Sequence, residues 1–171
     1  MPKSDQGINN PRYTVVPRTL IFIFNDRSQV LLLKGAKQKK LWAGLYNGIG
    51  GHIEPDEDIY RSAERELLEE SGITGVPLML CGQIMVKVSE AQGVGIFIFK
   101  GKYAGVVPGS SIEGDLEWVD LDRLADTPLV EDLYRLIPKV AGCDKNDPLI
   151  IGHYFYDADD VLVMDLRQDR S

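Results

Sequence analysis

Residues 51–73 read GHIEPDEDIYRSAERELLEESGI. The stretch predicts a helix with both ends marked. Asp56, Glu57 and Asp58 place negative charge where the helix dipole is positive. Gly72 stands where a left-handed C-terminal cap belongs. Tyr60, Ala63 and Leu67 recur at helical spacing and form an apolar stripe for burial. Glu66, Glu69 and Glu70 are related by i, i+3 and i+4, so their carboxylates share one face. Like charges that close repel and destabilise an isolated helix. A divalent cation on that face would offset the repulsion. Carboxylate oxygens suit Mg²⁺ and Mn²⁺, and Mg²⁺ takes only one or two of them, completing its shell with water and substrate phosphate. Arg65, one turn before Glu69, is placed to orient it. Taken alone, Glu-x-x-Glu-Glu reads as a solvated acidic face, so the flanking sequence has to decide.

Upstream, Tyr46–Ile53 contains Gly48, Gly50 and Gly51, where the backbone bends or approaches a neighbour closely. Before it, Arg18–Phe24 and Gln29–Lys34 read as strands joined by a hairpin at Asn25-Asp26-Arg27-Ser28. Lys34–Lys40 is basic and turn-rich. It is either a solvated loop or an attractor of nucleotide phosphates. Downstream, Gln83–Val88 and Val94–Lys100 read as a second hairpin, 101–114 as a glycine-rich loop, and Glu117–Val119 as a short strand. Val130–Val140 reads as a helix, and Tyr154–Tyr156 pairs with Val161–Asp165. Hairpins mixed with crossovers predict an α/β (α+β) chain, a mixed central sheet with helices on its faces. Residues 1–11 are expected to be a loose tail and residues 12–171 a single domain.

The chain has 171 residues, a formal net charge of −7 and a hydrophobic fraction of 44%. That supports one core and disfavours long nucleic acid as a partner. No apolar run approaches the ~18 residues of a membrane span, and the polar N-terminus lacks the core of a signal peptide. Cys81 and Cys143 have no metal-ligand spacing and suit a reducing, cytoplasmic interior.

From Gly51 the pattern runs Gly, five residues, Glu57, seven residues, Arg65-Glu66-Leu67, one residue, Glu69-Glu70, one residue, Gly72-Ile73. Every defined position of the Nudix box is matched, and the chain resembles a Nudix hydrolase. The resemblance implies an α/β/α sandwich and Mg²⁺-dependent (or Mn²⁺-dependent) hydrolysis of a nucleoside diphosphate linked to another moiety. It implies that Glu66, Glu69 and Glu70 hold the metal with the carbonyl of Gly51. Arg65 would orient the glutamates and Glu57 anchor the loop to the helix. Glu69 or Glu70 would be the general base. Glu113 is either a further metal ligand or a solvated loop residue.

Outside the box the chain is similar to the MutT-type oxidised purine nucleoside triphosphatases. Leu45-Tyr46-Asn47-Gly48-Ile49-Gly50-Gly51 resembles that branch's entry loop, and Gly152-His153-Tyr154-Phe155-Tyr156 its closing hairpin. The likeness implies that Asn47 binds the purine, that Lys37 lies near the pocket, and that Glu131 and Asp132 read the base edge. One of that pair would have to be protonated to donate. The pair is equally readable as favouring the next helix through its dipole. Leu129 replaces the branch's stacking tryptophan, which offers apolar contact without stacking. The expected activity is hydrolysis of a nucleoside triphosphate, such as 8-oxo-dGTP, to monophosphate and pyrophosphate, by a monomer or homodimer. The alternatives are ADP-ribose, a dinucleotide or an RNA 5′ end as substrate, or a nucleotide sensor that does not cleave. Trp42 and His52 are open between ligand contact and structural or solvated roles.

Overall fold

The computed structural model describes residues 12–36, 43–107 and 114–168. Strand β1 (Thr14–Phe24) ends in the uninterrupted apolar run Leu20–Phe24 because both of its faces are covered. On one side Ile21 and Ile23 pack with Ala63 and Leu67 of helix α1 (Ile59–Ser71). On the other, Phe22 and Phe24 pack with Leu133, Leu136, Ile137 and Val140 of helix α2 (Leu133–Gly142). The result is the expected sandwich, helix on mixed sheet on helix.

The remaining strands are β2 (Gln29–Gly35), β3 (Tyr46–Asn47), β4 (Met79–Lys87), β5 (Gln92–Lys102), β6 (Gly114–Asp120), β7 (Ile150–Tyr156) and β8 (Leu162–Arg167). Among the described residues their order is β3-β2-β1-β5-β4-β7-β8, with β6 on β2. The β1–β5 and β4–β7 pairs are parallel and the others antiparallel. Among the described residues no helix is long and apolar enough to cross a membrane.

Strands β4, β5 and β6 run beyond the bounds read from the sequence, and other differences bear on the packing around the glycine loop and the helices. The hairpin of β1 and β2 pairs only through Ile23 with Leu31 and Phe24 with Val30. Residues 49–53 take the rest of that edge: Ile21 N–H donates to Ile49 O at 2.7 Å, Thr19 N–H to Gly51 O at 2.9 Å, and Ile53 N–H to Pro17 O at 3.2 Å. The two strands therefore part, and the glycine loop fills the gap between them. Helix α2 starts at Leu133 rather than Val130, because Val130 N–H donates to Tyr46 O at 3.0 Å and holds that segment extended. Tyr60 is 44% exposed, and its ring meets the buried Phe99 edge-on.

Candidate active site

Helix α1 is fixed at both ends. Asp58 Oδ1 accepts from the N–H groups of Tyr60 and Arg61 at 2.9 and 3.0 Å. Gly72, with φ 70°, ends the helix and donates its N–H to Leu68 O. Arg65 is the hub of the acidic face. Its Nε and Nη2 donate to the two oxygens of Glu57 at 2.6 and 2.9 Å, a fork that matches a carboxylate. Its Nη1 donates to Glu66 Oε1 at 2.8 Å and Glu69 Oε2 at 3.1 Å, and Nη2 also reaches His52 O at 3.0 Å. One guanidinium thus ties the loop to the helix and steers two of the three glutamates. It holds the Glu57 carboxyl well below its usual range, at about 2. The same pairing raises Arg65 itself.

The third glutamate is held from the loop. Glu70 Oε2 accepts from Gly50 N–H at 3.0 Å. Gly50 has φ 147°, and a Cβ there would lie 2.8 Å from the Thr19 carbonyl carbon, so only glycine fits. A Cβ on Gly51 would lie 2.6 Å from Glu66 Cδ, which shows how closely the loop backbone meets that carboxylate. Glu66, Glu69, Glu70 and the Gly51 carbonyl supply only hard oxygen donors, the chemistry that suits Mg²⁺ or Mn²⁺. Among the described residues no three acidic, histidine or cysteine side chains already converge on one point. Glu66 and Glu69 turn to Arg65 while Glu70 turns to Gly50. A cation held by one or two carboxylates plus water and phosphate does not require such convergence. Glu113, Lys37 and Trp42 lie outside the described residues.

Across the glycine loop is a cleft of about 280 Å³, whose lining includes Arg18, Thr19, Asn47, Gly51, His52 and Asp132. Asn47 Oδ1 accepts from Gly48 N–H at 2.8 Å, so the amide N–H groups are what this lining side chain has to donate. Burial, and then the neighbouring Glu131 charge, raise the Asp132 carboxyl above its ordinary range. Asp132 makes no side-chain cap bond to α2. Past Val130 and Asp132 a second hollow, about 570 Å³, is bordered by Glu131, Tyr154 and Tyr156. Burial first, and Asp132 second, push the Tyr154 hydroxyl up. Leu129 is 4% exposed and packs in the α2-side core; it does not line either hollow. A wider hollow of about 620 Å³ flanks α1 through Leu67, Leu68 and Ile73, and none of the three glutamates lines it.

The structure therefore gathers Asn47, Gly51 and Asp132 about one cleft, and sets Glu131 at its extension and Leu129 behind it. Sequence reasoning missed Arg18, Thr19 and the Tyr154 hydroxyl. One signal was available for Arg18: a charge on the same strand face as Leu20 and Phe22.

The NUDIX domain profile matches residues 15–140. The oxidized purine nucleoside triphosphate hydrolase of Mus musculus is 32% identical over 152 residues, spanning 88% of this chain and 93% of the mouse protein. The protein of the same name from Danio rerio is 29% identical over 133 residues, spanning 77% and 83%. The solved mutator MutT protein from Bacillus halodurans superposes with a TM-score of 0.75 at 25% identity, covering 91% of this chain and 100% of that one. The chain belongs to the Nudix family and is a Nudix hydrolase of MutT type.

Proposed function

We propose that this Nudix hydrolase cleaves purine nucleoside triphosphates to the monophosphate and pyrophosphate, with oxidised purines such as 8-oxo-dGTP preferred. One observation carries the reading: Asn47 and Asp132 line a cleft that also reaches Gly50 and Gly51, the loop bonded to the glutamate helix. A base in that cleft extends its phosphates toward α1. The names of the mouse and zebrafish relatives support the same substrate class.

Glu66, Glu69 and Glu70, with the Gly51 carbonyl, would hold Mg²⁺ (Mn²⁺ is the alternative). When bound, such an ion neutralises charge on the phosphate bridge and lowers the pKa of a water. Glu69 or Glu70 accepts the proton of the attacking water. Arg65 and Glu57 act by position, keeping Glu66 and Glu69 on one face and the loop against the helix. Asn47 donates to the base. Asp132, raised by burial, can both donate and accept at the base edge, and Glu131 keeps it raised.

The test compares kcat/KM for 8-oxo-dGTP and 2-oxo-dATP with dGTP, dATP and ADP-ribose in the presence of Mg²⁺. Preference for 8-oxo-dGTP over dGTP is expected. Cleavage of ADP-ribose alone would move the substrate to another branch of the family. Thermal stabilisation by nucleotide with no product over hours would make the protein a sensor.

A further inference from the structure

Among the described residues three buried side-chain polar atoms have no hydrogen-bond partner: Arg18 Nε, Thr19 Oγ1 and the Tyr154 hydroxyl. All three residues line the joined hollows around Asp132. Alternation along β1 turns the Thr19 side chain to the α1 face with Ile21 and Ile23, whereas Arg18 and Tyr154 belong to the α2 side. Buried polar groups are normally paired, so these two orphans beside Asp132 mark where a ligand completes the hydrogen bonding. Tyr154 is 2% exposed.

Arg18 is the distinctive member of this group. Side chains alternate along β1, so Arg18 shares the face of Leu20 and Phe22, which pack on the α2 side of the sheet. That side also carries Asp132, at the entry to α2. Arg18 is half-buried and makes no ion pair with Asp132 or with any other described residue. A guanidinium only donates. Asn47 also presents donors, its oxygen being engaged by Gly48. A ligand edge that satisfies both must be rich in acceptors.

We propose that Arg18 is a specificity-determining residue that donates to the 6-keto oxygen of the purine and selects 6-oxo over 6-amino bases. The proposal rests on the purine nucleotide reading of the cleft. An amine at the same position sets N–H against N–H and leaves the buried Arg18 Nε–H without a partner. Sites built to hydrogen-bond one group discriminate strongly for this reason.

The experiment is calorimetric binding of dIMP and dAMP without metal, a pair that differs at the 6-position. Wild type binds dIMP about tenfold to a hundredfold more tightly, the span of one charge-assisted hydrogen bond. Arg18→Met abolishes that preference by weakening dIMP, and Arg18→Lys, still a donor, retains part of it. Melting curves check the fold of both variants. Equal binding by wild type, failure of both ligands to bind, or a preference that survives Arg18→Met overturns the proposal. Pyrophosphate release is measured separately with dITP and dATP. Loss of hydrolysis with the dIMP preference intact overturns the catalytic reading and supports the assignment of Arg18.

Discussion

The acidic face of α1 and the cleft beside Asp132 are built on opposite principles. On α1 the polar groups named above are engaged: Arg65 spans Glu57, Glu66 and Glu69, and Glu70 takes Gly50 N–H. In the cleft, buried polar atoms of Arg18 and Tyr154 lack partners among the described residues. The first region is preorganised within itself. The second leaves its hydrogen bonding to be completed from outside. On the proposed function, the face that cleaves phosphate must hold its geometry whatever the base, whereas the base cleft discriminates by what it leaves unpaired.

The largest expected effect tests the preorganised face. Glu70→Gln keeps an acceptor for Gly50 N–H, so the fold should survive with an unchanged melting temperature. Loss of the charge should lower kcat at least about a hundredfold. Wild-type turnover in both this variant and Glu69→Gln would remove the metal-site assignment.

Arg65→Met tests whether the hub acts by position. Steady-state kinetics should show kcat about tenfold lower with KM little changed. A pH titration of stability supplies a second readout. Glu57 sits at about 2 when folded against a reference of 4.5. The unfolded chain therefore binds more protons between those values, so the stability contributed by this group is present above about 4.5 and lost as pH falls toward 2. Arg65→Met should flatten that dependence.

Asp132→Asn probes the open region. KM should rise about tenfold or less with kcat retained, because an amide still donates and accepts. In wild type KM should rise as pH climbs through the elevated Asp132 value and its donor proton is lost, and the Asp132→Asn enzyme should lack that limb. The smallest effect belongs to Leu129→Met. Its side chain lies in the core behind the cleft, so a near-isosteric swap should shift substrate ratios by less than about twofold. A larger shift would bring residue 129 into base recognition.

The contrast also separates what was legible in the sequence from what was not. Glu57, Arg65, Glu66, Glu69, Glu70 and Gly72 lie within one helix and its entry loop, where fixed spacing is fixed geometry. The cap at Gly72 and the Arg65 hub follow from that local periodicity. The apolar runs of β1 and β5 were readable, but their parallel pairing rests on contacts far apart in sequence. The parting of β1 from β2 depends on backbone bonds from residues 49–53, which side-chain patterns do not report. The cleft joins β1, the residues after β3 and the entry to α2, so Arg18 could not be placed beside Asp132 from spacing alone. Leu129 was assigned by likeness to a stacking position, and only packing shows it turned into the core.

The most direct test of the central claim is product identification by phosphorus NMR. The purified protein would be incubated with 8-oxo-dGTP and Mg²⁺, with and without excess chelator. The account predicts monophosphate and pyrophosphate in equal amounts, and no products once metal is chelated. Release of inorganic phosphate with a diphosphate product, or cleavage that persists in chelator, would contradict it.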